Sequence, residues 1–154
     1  MLKAIQNKTR DDKGFTLIEL MVVVLIIAIL IAIAIPTFLG MRKRAQDRAA
    51  QSNLRNGLTA AKAFYTDEDT FTPSTGDFNA TEGETIEPSL DWADKATPDT
   101  EGEVAVVSVD ADTVVLGILS ASGDFFCIQD DGGATLYGSG PDWATADDCA
   151  SDGF

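Results

Sequence analysis

One acidic residue, Glu19, lies at the start of a long apolar stretch in a chain of 154 residues. A charged side chain at the centre of a membrane helix costs roughly 2.5–3.5 kcal/mol on insertion scales, so such a carboxylate indicates a partner. If the chain were cut after Gly14, the amine of Phe15 would be free and, with a pKa of about 8, largely cationic at neutral pH. The amine and the carboxylate of one helix need not meet, whereas two copies staggered by one helical turn would pair them. The spacing therefore predicts a carboxylate that sets the register of stacked helices.

The element that must position Glu19 is a helix, because sixteen consecutive apolar residues run from Leu20 to Ile35. With their flanks they form an apolar segment over residues 15–39, which is about 37 Å long at about 1.5 Å per helical residue. That length is enough to cross a bilayer core of about 30 Å. Pro36 removes one backbone hydrogen bond from this helix and predicts a kink. We therefore predict a single membrane-spanning helix over residues 15–39.

Beyond residue 39 the apolar pattern narrows to one helical face. Apolar residues recur at intervals of three or four, which predicts an amphipathic helix that continues without a break over residues 40–66. The residues of this face are Ala50, Leu54, Leu58, Ala61 and Tyr65.

The eight residues from Lys13 to Leu20, followed by the long apolar helix, resemble the cleavage and methylation signature of type IV prepilins. The signature requires a glycine, then a phenylalanine, then a glutamate as the fifth residue of the product, next to a spanning run. The resemblance covers roughly residues 1–65. It implies a precursor that crosses the cytoplasmic membrane once with its C-terminal domain outside, and a homopolymeric filament at the cell surface once the pilus assembly machinery has acted.

The resemblance also assigns roles to individual residues. It implies that residues 1–14 are a leader peptide, which a prepilin peptidase removes by cutting between Gly14 and Phe15 before it methylates the new amine. Glu19 would then recruit each subunit to the base of a growing fibre. The helix would loosen around Pro36 on polymerisation and let the fibre stretch.

A different interpretation treats the apolar run as an ordinary secretory signal peptide. Ala32-Ile33-Ala34 satisfies the small-x-small cleavage rule, and the product would then start at Ile35. Glu19 inside the run and the length of the apolar stretch both count against this interpretation.

The composition changes sharply after residue 66. Residues 1–66 carry ten basic and four acidic side chains, whereas residues 67–154 carry one lysine and 21 acidic side chains. So acidic a domain repels nucleic acid backbones, and we expect no nucleic acid partner. Residues 67–102 are rich in Thr, Asp, Glu, Pro and Gly, which predicts a long connecting region.

Short β-branched runs separated by turn residues follow in residues 103–154. Four runs are predicted as strands of an antiparallel meander, namely Val104 to Val109, Thr113 to Leu119, Phe125 to Gln129 and Ala134 to Tyr137. One face of this sheet should pack on the amphipathic half of the helix, because nothing else in the chain is apolar enough to cover it. The predicted fold class is α+β, with a long N-terminal helix packed on about four strands, similar to type IV pilins.

Cys127 and Cys149 are the only two cysteines in the sequence. In an exported domain such a pair usually forms a disulfide, and closing a loop of about 20 residues is worth roughly 3 kcal/mol. The alternative is a pair of unlinked thiols. By resemblance, the disulfide would bound an outward-facing C-terminal loop.

Nothing in the sequence predicts catalysis. The chain has no histidine, which removes the commonest general base and metal ligand at neutral pH, and no nucleophile motif or phosphate loop is present. We therefore expect no enzyme activity and no cofactor. Acidic pairs such as Asp110 with Asp112 and Asp130 with Asp131 have oxygen ligands suited to calcium. Turns and solvated surfaces use the same residues, so we predict no metal site.

Three functional interpretations follow from these patterns. The first is a structural subunit of a type IV pilus, assembled through helix packing and Glu19. The second is a pseudopilin of a type II secretion machine, or a minor or competence pilin, because the N-terminal stretch is shared. The third is a single-span receptor that never polymerises, in which Glu19 would have no purpose.

Overall fold

The structure of the chain is a computed structural model that describes residues 14–146 and Cys149. Most of the predicted leader, residues 1–13, lies outside the described residues, as does the C-terminal tail apart from Cys149. The chain divides between Leu39 and Gly40 into two compact units. One helix contributes residues to both units.

That helix, α1, extends over Leu17–Glu68 and is somewhat longer than the predicted end near Tyr65. It ends where Asp69 adopts the left-handed backbone conformation, with φ of 58°. The Asp69 amide still donates to the Tyr65 carbonyl at 2.7 Å, which satisfies one of the carbonyls left open at a helix C-terminus. Of the first unit, the structure describes residues 14–39, which are the apolar part of α1 and the three residues before it, and all of these residues are exposed.

In the second unit, α1 buries one face. The predicted residues Ala50, Leu54, Leu58 and Ala61 are buried. The fifth, Tyr65, is only half-buried, and its neighbour Phe64 takes the core position instead. The Phe64 ring packs on Phe78 with ring centroids 5.4 Å apart, so Phe64 joins the helix to the buried part of the connecting region.

The sheet has five strands in the order β1-β2-β3-β4-β5. The strands are β1 Trp92–Asp94, β2 Val104–Val109, β3 Thr113–Leu119, β4 Phe125–Asp131 and β5 Ala134–Gly140. Strands β2 to β5 form the predicted antiparallel meander. The additional strand β1 pairs parallel to β2. The α+β class is therefore confirmed, and the predicted count of four strands was one too few.

The region predicted as a connection, residues 67–102, contains both β1 and a short helix, α2, over Ala80–Ile86. The Asn79 side chain caps α2 by accepting hydrogen bonds from the Thr81 and Glu82 amides at 2.8 and 3.3 Å, as an N-cap residue does. Both elements are only three to seven residues long, which is too short for a periodic pattern to reveal them.

The core lies between α1 and the inner face of the sheet. The sheet contributes Val104, Val114, Leu116, Ile118 and Ile128, all almost completely buried. Aromatic rings close one end of this core, where Phe78 packs edge-on against Trp92 with centroids 6.0 Å apart. These contacts hold the sheet to residues 50–64 of the helix.

The outer face of the sheet carries a row of small residues across three strands. Gly117 pairs with Cys127, and Cys127 pairs with Gly138. A short helix, α3 over Trp143–Ala146, lies over this row. A Cβ added at Gly117 would stand 2.5 Å from the Trp143 ring. The absence of side chains at the two glycines therefore makes room for the C-terminal segment.

Candidate functional site

Glu19 and Thr16 form a reciprocal pair at the start of α1. Glu19 Oε2 accepts hydrogen bonds from the Thr16 amide at 2.8 Å and from the Thr16 hydroxyl at 2.6 Å. In return, the Glu19 amide donates to Thr16 Oγ1 at 3.3 Å. This is a capping box, in which the residue before the helix and the third helical residue satisfy each other's free groups. The Thr-x-x-Glu spacing before an apolar run announces it, but our reasoning from the sequence did not use that signal.

The capping box places the carboxylate in the first turn of α1, where the positive end of the helix dipole favours a negative charge. Only Oε2 is engaged, and Oε1 accepts no hydrogen bond from any residue that the structure describes. The carboxylate of Glu19 therefore has a local partner, which was not predicted, and retains one oxygen for another donor.

Gly14 and Phe15 precede the helix in an exposed, non-helical stretch. The Phe15 side chain is 81% exposed. Among the described residues, no atom beyond the chain neighbours of Gly14 lies within 4 Å of the position that a Cβ there would take. Exposed backbone outside regular structure is where proteases act most readily. The peptide bond between these two residues thus lies just outside the capped helix and is accessible.

The helix that follows is apolar on all sides. Side chains such as Leu20, Leu30 and Ile33 are between 59% and 66% exposed, and α1 is long and apolar enough by length and composition to span a membrane. A helix that is hydrophobic all round requires an apolar environment. Unlike the amphipathic half, this part of α1 contributes no residue to the hydrophobic core that the described residues form.

Pro36 lies within α1, which is helical on both sides of it. A proline at this position leaves the carbonyl four residues earlier, that of Ala32, without its backbone donor. Next to it, the Thr37 hydroxyl donates to the Ile33 carbonyl at 3.1 Å. The helix is thus continuous at Pro36 while its backbone ladder lacks one bond.

A second polar contact ties the beginning of the amphipathic half to the turn between β3 and β4. Asp47 accepts hydrogen bonds from the hydroxyls of Ser120, at 3.0 Å, and Ser122. One turn earlier, Lys43 pairs with Asp124 at 2.9 Å, and this hydrogen bond raises the pKa of Lys43. The sequence offered no sign of these contacts, because they join residues far apart in the chain.

Further along α1, Lys62 and Tyr65 line an open cleft of about 310 Å³. The Lys62 ammonium lies 2.7 Å from Asp130 Oδ1. Since Asp130 is almost completely buried, this ion pair satisfies its charge even though the two groups are not aligned as a hydrogen bond. The Tyr65 hydroxyl donates to Asp112 Oδ1 at 3.1 Å. Two of the acidic residues considered for calcium, Asp112 and Asp130, are therefore engaged by protein donors.

The acidic pairs do not converge on a common point. Within residues 14–146 and at Cys149, no three acidic, cysteine or histidine side chains come close enough together to hold a metal ion. Asp131 instead accepts a hydrogen bond from the Thr113 hydroxyl at 3.2 Å across neighbouring strands.

Cys127 and Cys149 form the predicted disulfide, with their Cα atoms 5.9 Å apart. Both residues are buried. The bond fixes the chain after α3 to β4, in the row of small residues described above. The prediction of a disulfide is confirmed, and its location on the outer face of the sheet is a finding of the structure.

Comparison with known proteins finds matches in the N-terminal part of the chain. Residues 9–35 match the family model described as the prokaryotic N-terminal methylation motif. The chain is 48% identical over 60 residues to the type IV major pilin protein PilA of Myxococcus xanthus, which is 39% of this chain and 27% of that protein. It is 43% identical over 63 residues to the type IV wide pilus major component PilA4 of Thermus thermophilus, which is 41% of this chain and 48% of that protein. A fimbrial protein of Pseudomonas aeruginosa is 50% identical over 54 residues, 35% of each chain.

The fold and the site define a protein with a capped, membrane-compatible N-terminal helix that carries the methylation motif. The motif and the relatives support a type IV pilin, so the resemblance read from Lys13 to Leu20 is confirmed. The matched segment spans less than half the length of each of these relatives.

Proposed function

We propose that the chain is a structural subunit of a type IV pilus, made as a precursor that crosses the cytoplasmic membrane once. The leader is cut after Gly14, Phe15 is methylated, and the subunits polymerise through their apolar helices. The observation that carries this proposal is the carboxylate of Glu19, fixed in the first turn of an apolar helix directly after the matched motif.

The capping box would survive the cut, because its groups belong to Thr16 and Glu19 and not to the leader. The free Glu19 Oε1 would then accept the charged amine of a neighbouring copy's Phe15. In apolar surroundings the attraction between two such charges is much stronger than in water, although desolvation takes back part of the gain. This pairing sets the offset between copies, which is the role expected from the sequence.

The other parts of the chain take roles around this contact. Residues 15–39 form the membrane segment of the precursor and the core of the filament, and residues 40–66 connect that core to the head. Residues 67–102 and 103–154 build the head, with the disulfide-bounded loop on its outside. The missing backbone bond at Pro36 supports a local opening of the helix when the filament is stretched.

The partners follow from the same proposal. A prepilin peptidase processes the precursor, and the pilus assembly machinery adds subunits to a homopolymer. A pseudopilin of a type II secretion machine shares the N-terminal stretch. The relatives described above are pilus or fimbrial components, which favours the pilus. Those relatives are structural proteins, and we propose no catalytic role for this chain.

The decisive experiment compares Glu19→Ala and Glu19→Gln with the unaltered chain in cells that make the complete assembly machinery. We expect all three proteins in the membrane by immunoblot, and surface filaments by electron microscopy only for the unaltered chain. Mass spectrometry of those filaments should find an N-terminal Phe15 carrying one methyl group. Normal filaments from both variants, or a filament protein that retains residues 1–14, would refute the proposal.

A further inference from the structure

A pocket of about 260 Å³ on the head lies between α2, β1 and the segment before β2. Leu90 and the half-buried Trp92 supply its apolar part, and the carboxylates of Glu84, Asp91 and Glu101 line it. These three carboxylates are exposed, and none of them forms an ion pair with a residue that the structure describes. A fourth lining residue, Glu103, is already paired with Lys95 at 2.6 Å. This pocket, called the Trp92 pocket below, therefore combines an excess of negative charge with the apolar surface of Leu90 and Trp92.

The matching positive charge lies on α1. Arg44 and Arg48 are four residues apart and so lie on the same side of the helix. Both are exposed, and neither takes part in an ion pair within residues 14–146. Their neighbour Lys43 differs, because Asp124 already engages it at 2.9 Å. Arg44 and Arg48 together are called the arginine pair below.

The arginine pair cannot reach the pocket of its own chain. The Trp92 ring at the pocket lies against α1 at Gly57, where an added Cβ would be 3.3 Å from the ring. Gly57 follows Arg48 by nine residues and Arg44 by thirteen, which corresponds to about 14 and 20 Å along the helix axis. A second copy shifted along the axis by such a distance would bring the two together.

We propose that the Trp92 pocket receives an arginine of the arginine pair from a second copy of this chain. The planar guanidinium group suits carboxylates that converge from several sides, and its aliphatic stem would cover Leu90 and the exposed edge of Trp92. This inference rests on the proposed function, because only a filament holds copies side by side at fixed axial offsets. A stack of staggered copies provides neighbours at several offsets, so this neighbour need not be the one whose amine meets Glu19.

Cross-linking between two distinguishable chains tests the contact. One tagged chain carries Arg44→Cys or Arg48→Cys, a second chain with another tag carries Glu84→Cys, and the unaltered chain is co-produced so that filaments form. The native cysteines are joined and buried, so they do not compete. The matched control replaces Glu84→Cys by Asp110→Cys, which is also exposed but lies at the far end of β2.

After oxidation of sheared filaments, we expect a dimer carrying both tags to form severalfold more with Glu84→Cys than with Asp110→Cys. Equal amounts, or no dimer from intact filaments with either arginine position, would overturn the proposal. The outcome separates this inference from the proposed function. If the unaltered chain makes filaments that Glu19→Ala abolishes, the function stands whatever the cross-links show.

Charge reversal provides an independent measurement. Glu84→Arg with Glu101→Arg should reduce the yield of filaments severalfold, and adding Arg44→Glu with Arg48→Glu to the same chain should restore it. Asp67→Arg with Asp110→Arg changes the net charge by the same amount away from the pocket and should leave the yield unchanged. A local pairing would be contradicted if the control pair reduced the filament yield as much as the pocket pair does. It would also be contradicted if the four substitutions together did not restore the yield.

Discussion

The Ser120 hydroxyl, directly after β3, donates to Asp47 Oδ1 at 3.0 Å, although the two residues are 73 positions apart in the chain. Ser120 is 1% exposed, so its hydroxyl cannot donate to solvent and donates to Asp47 instead. Ser122 donates to the same oxygen and completes the contact with the β3–β4 turn. This contact fastens the sheet to the first turns of the amphipathic half of α1.

We expect Asp47→Ala to destabilise the head by about 1–3 kcal/mol, because the buried Ser120 hydroxyl would lose its acceptor. Asp47→Asn keeps an acceptor oxygen and should cost less. The measurement is urea unfolding of the full chain in detergent micelles, followed by near-ultraviolet circular dichroism.

Ser120→Ala supplies the control for Asp47→Ala. The double variant should lose less free energy of unfolding than the two single variants lose together, because the effects of substituting residues in contact are not additive. Strict additivity would show that the two groups do not stabilise each other.

The elements that the sequence predicted best are those with alternating patterns and clear turns. The predicted bounds of β2 and β3 agree with the structure, and β4 and β5 were placed correctly but are longer than predicted. By contrast, β1 was missed, because three residues in a Pro- and Asp-rich region are too few to show alternating hydrophobicity. It is a strand only through its pairing with β2.

The polar contacts were harder to predict for different reasons. The Thr16–Glu19 pair is local, and its spacing was readable from the sequence. The Asp47–Ser120 bond depends on where the sheet docks on α1, which no local pattern contains. The row formed by Gly117, Cys127 and Gly138 becomes visible only when the strand register is known.

Removing the Thr16 hydroxyl should loosen the first turn of α1. Thr16→Val keeps the shape of the side chain but loses one half of the capping box, and losing an N-cap side chain costs about 0.5–2 kcal/mol. We expect faster hydrogen exchange at the Glu19 amide in micelles, and fewer filaments because only the amide of residue 16 would still hold the carboxylate. Thr16→Ser retains the hydroxyl and should behave like the unaltered chain. Unchanged exchange in Thr16→Val would mean that the capping box does not form in solution.

A side chain at Gly117 should push the C-terminal segment off the sheet. The Cβ of Gly117→Ala would lie 2.5 Å from the Trp143 ring and 2.7 Å from Pro98, and overpacking of this kind costs about 1–3 kcal/mol. The midpoint of thermal unfolding should fall, and the fluorescence of Trp143 should change because its ring is displaced.

Gly40→Ala is the matched control for Gly117→Ala. Apart from the backbone of α1 itself, no atom of the described residues lies within 4 Å of its new Cβ, and Gly40 is helical. Alanine should therefore stabilise α1 by up to about 1 kcal/mol. Equal effects of the two substitutions would contradict the tight fit of Trp143 on the sheet.

The hydrogen bond from Tyr65 to Asp112 gives the head a defined pH dependence. That bond, with the negative charge of Asp112, raises the pKa of Tyr65. The folded chain therefore holds this proton more tightly than the unfolded chain does. The resulting stabilisation is fully present below the unfolded pKa of about 10 and is lost as pH rises through the higher folded pKa.

We therefore expect Asp112→Asn, which removes the charge, to lower the pKa of Tyr65 towards its ordinary value and to flatten the loss of stability above pH of about 10. The ultraviolet absorbance of tyrosinate reports the titration, and Tyr65→Phe identifies which of the two transitions belongs to Tyr65 and which to Tyr137. Asp67→Asn, an exposed carboxylate near the end of the same helix, controls for the general effect of removing one charge. If Asp112→Asn left the pKa of Tyr65 unchanged, the bond between Tyr65 and Asp112 would not be the cause of the raised pKa. The same conclusion would follow if Asp67→Asn lowered that pKa by as much as Asp112→Asn does.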